Sequence, residues 1–313
     1  MTVFGSKNVI INNISEAKLS TYFVGFDLDD NNDRVYRLNE LVDILIDVIP
    51  EFAFGFHEGT STPNTRMATK IREAAKAIYK IKGFVDTRDI YLNGGCIDDD
   101  IEDKYLKRGE FGELILHLIL RDFHSTIPLL SKIYFKDSLG HTVHGFDAVH
   151  IEPNSKTLWL GESKLYTDGK KGVTALIKDI EEHFKKDYLH DEFTLVSKKV
   201  KHLDEVPNKE YWLNLLSKST KLSEQLKAIN IPLLCTYTSN IFTKHSDETI
   251  KEFIKEYEQE VRDLEQHFNA NNNHKLKTNL NIILLLFPVK SKKDLVLNLH
   301  NNLYLLQRLG GSK

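Results

Sequence analysis

Asp147, Glu162 and Lys164 bring two acids and a base into a stretch that otherwise reads as core. From Val143 to Tyr166 the chain is rich in Val, Ile, Leu, Phe and Trp, and Pro153-Asn154-Ser155 divides it with a turn signal, the pattern of a β-hairpin. A turn centred between Asn154 and Ser155 sets Val149 opposite Leu160, Ile151 opposite Leu158, Asp147 opposite Glu162 and Gly145 opposite Lys164 on one face. His150 and Trp159 go to the other face. Two carboxylates directly opposed repel each other, and a divalent cation between them would offset that repulsion. Mg²⁺ is held by one or two carboxylates and otherwise by water and substrate phosphate, so this pair is enough. Lys164, two residues beyond Glu162, points to the same side. Its ammonium would hold a phosphate oxygen or the attacking water, whose pKa the cation lowers.

An Asp followed on the next strand by Glu-x-Lys resembles the PD-(D/E)xK nuclease superfamily, in which the two acids bind metal and the Lys assists the water. The Pro that usually precedes the Asp is absent, and Gly145 and Phe146 stand in its place. Arg-Gly-Glu-Phe-Gly-Glu-Leu (Arg108 to Leu114), His-Gly-Phe-Asp-Ala-Val-His (His144 to His150) and Leu-Gly-Glu-Ser-Lys (Leu160 to Lys164), in that order, are similar more narrowly to the HamA family, nuclease subunits of the bacterial Hachiman anti-phage defence system. That likeness spans roughly residues 100 to 290. It implies a restriction-endonuclease-like α/β fold with a mixed central sheet flanked by helices, Mg²⁺ (or Mn²⁺) as cofactor and DNA as substrate. It also implies a HamB-like helicase subunit that restrains the nuclease until infection or DNA damage.

In the superfamily a Glu from the helix before the first core strand often joins the metal site. The segment Gly109 to Phe123 is in that place, with Phe111, Leu114, Ile115, Leu118 and Ile119 as an apolar stripe and Glu110, Glu113 and His117 off it. Glu113 is the first choice and Glu110 the second; an acid placed to favour the helix dipole is the alternative for either. His117 reads as a packing or surface histidine, and His144 and His150 fall away from the carboxylates.

The elements that must position these groups follow from periodicity. After Lys164, Thr167-Asp168-Gly169 ends the strand and Val173, Leu176, Ile177, Ile180 and Phe184 mark a helix. Lys170, Lys171 and Lys178 near its start, with the helix amides, suit a nucleic-acid phosphate backbone. Ile133 to Lys136 reads as the first core strand, and Pro232 to Tyr237 and Leu280 to Pro288 as buried strands. A helical insertion lies near 198–229, a charged helix spans about Asp247 to Phe268, and a last helix runs from about Lys292 to Arg308. Upstream, Thr21 to Leu28 reads as a strand, and a helix from Leu38 stops at Pro50. A second helix begins after Pro63, with a basic face of Arg66, Lys70, Arg72, Lys76 and Lys80 best read as solvated. Asp86 to Asp103 reads as an acidic linker. The expected division is an N-terminal α+β region over 1–95, a candidate partner-binding region, and a nuclease domain over 96–313.

At 313 residues the chain can bury a substantial core, and its net charge of −3 argues against a whole-surface polyanion binder. Any grip on DNA must come from a local patch or a metal. Two distant cysteines, Cys96 and Cys235, make neither a disulfide framework nor a zinc site. With no signal region and no apolar run long enough to span a bilayer, the expectation is a cytoplasmic protein that does not enter membranes. Two other readings stand beside the nuclease. One is an inactive α/β subunit that binds nucleic acid or a partner; the other is a structural subunit in which Asp147, Glu162 and Lys164 are a salt-bridge cluster. The complete set of acids and Lys ranks the nuclease first.

Overall fold

The computed structural model describes residues 3–55, 66–78, 109–130, 145–203 and 206–309 of the chain. In chain order its elements are β1 (Ile10–Ser15), β2 (Leu19–Val24), β3 (Phe26–Leu28), β4 (Arg34–Tyr36), α1 (Leu38–Phe54), α2 (Met67–Ile78), α3 (Gly109–Phe123), β5 (Ile127–Pro128), β6 (Ala148–Glu152) and β7 (Thr157–Tyr166). There follow α4 (Gly169–His183), α5 (Lys186–His202), α6 (Lys209–Leu215), α7 (Leu222–Lys227), β8 (Ile229–Thr238), α8 (Ile241–Lys244), α9 (Lys251–Asn271), β9 (Asn281–Val289) and α10 (Lys292–Gln307).

Seven strands form one mixed sheet in the order β1-β2-β9-β8-β7-β6-β5, and β3 with β4 makes a small separate ribbon. The middle of the sheet, β7, β8 and β9, is parallel, while β5, β6 and β1 are antiparallel to their neighbours. Parallel strands need covering on both faces, which is why β8 and β9 read as nearly unbroken apolar runs. One face packs α4, α5 and α9 through Val173, Phe193 and Val261. The other packs α1, α2, α3 and α10 through Leu45, Ala74, Leu118 and Leu299. The chain is thus an α/β protein with a mixed central sheet between helical layers.

Close backbone approach on both faces brings helices to the hairpin. A Cβ on Gly172 of α4 would lie 2.5 Å from Cys235 Sγ, and one on Gly112 of α3 would lie 3.2 Å from Ser163 Oγ. The seat of α4 on β8 therefore admits no larger residue without a shift, and that of α3 on β7 is tight. Pro232 has no N–H to give, and the β7–β8 ladder skips from Trp159↔Asn230 to Glu162↔Leu233. Glu162 is the first residue of β7 after that interruption.

Several expectations change here. The helix α1 does not stop at Pro50 but continues to Phe54. One backbone bond is lost at the proline; beyond it Phe52 and Ala53 enter the core, and Glu51 bonds His117 at 2.9 Å and Arg121 at 2.6 Å. The strand expected over Thr21 to Leu28 breaks at Gly25, so that β2 joins the large sheet and β3 the ribbon. Lys186–His202 is a helix, and the segment from Tyr211 to Ile229 is two short helices and the start of β8. The expected strand Ile133 to Lys136, the linker Asp86 to Asp103, His144 and Cys96 lie outside the described residues. Strands on both sides of the division expected near residue 95 share one sheet, since β2 pairs in parallel with β9. No helix among the described residues is long and apolar enough to cross a membrane.

Candidate active site

The hairpin pairs Glu152 with Thr157, Ile151 with Leu158, His150 with Trp159, Val149 with Leu160 and Ala148 with Gly161, and there the ladder ends. Gly145 consequently does not pair with Lys164. Asp147 sits one residue beyond the ladder and leans toward β7, where its Oδ2 accepts hydrogen bonds from Ser163 N–H and Ser163 Oγ–H, both at 2.9 Å. Two donors from one residue fix that carboxylate, while Oδ1 accepts no hydrogen bond among the described residues.

Glu162 and Lys164 alternate with Ser163 and so share the face of β7 that meets α4. Glu162 is buried, with 3 % of its surface exposed, and its Oε1 lies 2.6 Å from His183 Nδ1. Burial raises its pKa well above the ordinary carboxylate range, and the neighbouring charges of Asp147, Asp179 and Glu192 push the same way against the pull of Lys164. Lys164 Nζ lies 2.6 Å from Asp179 Oδ2. Burial lowers a lysine's pKa, but the carboxylates of Asp179, Asp147 and Glu162 outweigh it and hold this ammonium above its usual value. Burial likewise raises Asp179, with Lys164 opposing.

The next helix completes the cluster. His183 stacks on Tyr188 with ring centroids 4.8 Å apart at 10°, and Phe146 meets both rings edge-on. Glu192 of α5 is 5 % exposed, and its Oε2 has no hydrogen-bond partner; the hydroxyl of Tyr188 has none either. Burial carries the Glu192 carboxyl up to about 7, with the charge of His183 opposing the rise. The charges of Asp147, Asp179 and Glu192 thus all bear on Glu162, which has a single lysine opposing them. Carboxyls in surplus over their cations, two buried and two half-buried, are the donor chemistry that a divalent cation satisfies. No three His, Cys, Asp or Glu side chains among the described residues converge as an ion cage. Mg²⁺ asks for only one or two carboxylates, and Asp147 with Glu162 supplies them.

The other expected residues divide. Glu113 is buried on α3 immediately after Gly112, which abuts Ser163, and Glu110 is half-buried one turn earlier. Their helix covers the face of the sheet opposite Glu162 and Lys164. Lys170, Lys171 and Lys178 are exposed and, with Tyr166, Asp168, Thr174 and Ala175, line a groove of about 360 Å³ along α4. The amide end of α4 is not an open anion site, because Asp168 caps it by accepting from Lys171 N–H at 3.0 Å. His117 and His150 are buried on the α3 face, bonded to Glu51 and to Thr126 Oγ1 respectively.

Asp179, His183, Tyr188 and Glu192 escape a linear reading. The signal that could have found them is a charged or aromatic pair four residues apart, Asp179 with His183 and Tyr188 with Glu192, beside an apolar stripe on each helix. Compared with known proteins, the family model described as HamA matches residues 3–303. No curated protein matches the chain.

Proposed function

The chain belongs to the HamA family, and on that premise we propose that it is a metal-dependent nuclease that hydrolyses DNA phosphodiester bonds as the effector of an anti-phage defence system. The observation that carries this reading is the gathering of Asp147, Glu162 and Lys164 at one end of a hairpin, with Glu162 raised by its burial and the lysine held charged, against its own burial, by the surrounding carboxylates. Perturbed acids and a paired cation in one cluster are the electrostatics of a reacting site more often than of a packing contact.

Asp147 and Glu162 would hold the cation, Mg²⁺ or Mn²⁺, which when bound lowers the pKa of a water and screens charge developing on phosphorus. Ser163 fixes the Asp147 carboxylate through two hydrogen bonds, leaving Oδ1 available. Lys164 supplies a permanent positive charge that donates to a phosphate oxygen or to the attacking water, and acts as an electrostatic clamp and not as a base. Lys170, Lys171 and Lys178 bind the phosphate backbone and orient the duplex beside the cluster. Glu113, with Glu110 as second choice, is the auxiliary acid suggested by the superfamily, and from the opposite face of the sheet its helix meets the site at Ser163, the residue that holds Asp147. A helicase subunit of the same defence system is the partner, restraining the nuclease.

One observation favours the second reading, an inactive binding subunit: Lys164 and Asp179 are already paired, as they are in a closed structural cluster. Incubating the purified protein with linear and circular DNA, with Mg²⁺ or with chelator, decides between them. The nuclease reading expects cleavage with Mg²⁺ only, lost in Glu162→Ala with the fold intact. Full cleavage by a folded Glu162→Ala variant refutes it.

A further inference from the structure

The strand that carries Glu162 and Lys164 and the helix that carries Asp179 and His183 match in pitch. Two residues along a strand advance roughly 6.6 Å, and four along a helix advance roughly 6 Å. Because α4 runs back along β7, its earlier residue meets the later one of the strand: Asp179 with Lys164 at 2.6 Å, and His183 with Glu162 at 2.6 Å. One helix face therefore grips both side chains of the Glu-x-Lys pair.

The histidine end of this grip is itself fixed. The ring of His183 lies flat on Tyr188, and Phe146, the residue before Asp147, closes on it edge-to-face at 6.2 Å. A ring so confined presents Nδ1 in one direction. Glu162 Oε1 is engaged by it, and Glu162 Oε2 accepts no hydrogen bond among the described residues.

We infer that His183 is a positioning residue for the metal site: its Nδ1 holds Glu162 Oε1 and so turns Oε2 toward the cation that Asp147 shares. The inference rests on the metal-dependent reading above. Partners that orient a ligating carboxylate are worth about 10–100-fold in metal affinity, and among the described residues His183 is the one side chain hydrogen-bonded to Glu162.

The test is calorimetric titration of the full-length, chelator-treated protein with Mn²⁺, alongside the Mn²⁺ dependence of DNA cleavage, for wild type, Glu162→Ala, His183→Ala and His183→Asn. The expected result is an affinity about tenfold or more weaker in His183→Ala, with the concentration for half-maximal cleavage raised by the same factor. His183→Asn should recover most of it, because its amide nitrogen stands near the place of Nδ1 although it cannot stack on Tyr188. If His183→Ala binds Mn²⁺ as tightly as wild type while Glu162→Ala does not bind, the positioning role is overturned and the nuclease reading stands. Equal losses in His183→Ala and His183→Asn overturn it in favour of ring packing. A wild type that neither binds Mn²⁺ nor cleaves DNA overturns both.

Discussion

Lys164 and Glu192 are shifted by different causes, Lys164 upward, against its own burial, by the charges of Asp179, Asp147 and Glu162, and Glu192 upward by its own burial. Lys164 is the cation of the cluster, so Lys164→Ala would remove the proposed clamp on substrate and also leave Asp179, half-buried, without its partner. A largely buried polar group left unsatisfied costs about 1–3 kcal/mol, and more when it is charged. The double variant Lys164→Ala with Asp179→Asn should regain that stability and none of the cleavage, which separates chemistry from packing. Thermal melts and a DNA digest on the same pair check it; cleavage returning with stability would assign Lys164 to structure. Glu192 behaves differently. Its folded pKa of about 7 stands above its ordinary 4.5, so the folded protein keeps a proton that the unfolded chain has released. The penalty is absent below about pH 4.5, grows as pH rises, and is complete above about 7. Glu192→Gln removes it. In chelator, its melting temperature should exceed that of wild type by about 5 °C or more at pH 8 and hardly at all near pH 4.5.

The helix α4 is the element on which the site depends, and it is also where the sequence was most and least legible. Its apolar stripe from Val173 to Phe184 and its lysines at 170, 171 and 178 were readable from spacing alone, because a helix period repeats locally. The pairing within the hairpin was readable for the same reason: a short turn leaves one register in which Val149, Ile151, Leu158 and Leu160 share the core face. Asp179 and His183 were not readable, since their meaning lies in β7, which precedes them by a turn and a reversal of direction. Nor was β1, an edge strand whose middle residues are exposed and which therefore lacks an alternating signature. Because the α4 lysines are solvent-facing and the amide end is capped by Asp168, the proposed DNA contact there would act through charge. Replacing Lys170, Lys171 and Lys178 by Ala should weaken binding uniformly across DNA sequences. It should reduce the slope of log affinity against log salt by up to about 3, with Mn²⁺ affinity unchanged. An unaltered slope would remove this groove from the interface.

At the scale of the whole molecule the sheet decides what can be cut. The region before residue 95 was legible as strand and helix, yet its relation to the rest was not, because parallel pairing between β2 and β9 joins residues far apart in the chain. That pairing has an energetic consequence. Tyr22, Val24, Leu41, Leu45, Val48, Ile49 and Phe52 are all buried in one cluster with Ile283, Leu285, Phe287 and Val289 of β9. Each large apolar side chain removed from water is worth about 1.5–3 kcal/mol, while a domain's net stability is only about 5–15 kcal/mol. Losing this set also bares the edge of β9, whose apolar side chains and unpaired amides would then template aggregation. A fragment spanning residues 96–313 is therefore expected to lack a cooperative thermal transition and to be lost from solution, and with it any cleavage or partner binding. Circular dichroism melts of the fragment against the full chain test this. A cooperative transition in the fragment would instead make the N-terminal region a separable module, and only then could its deletion report on the partner surface rather than on the fold.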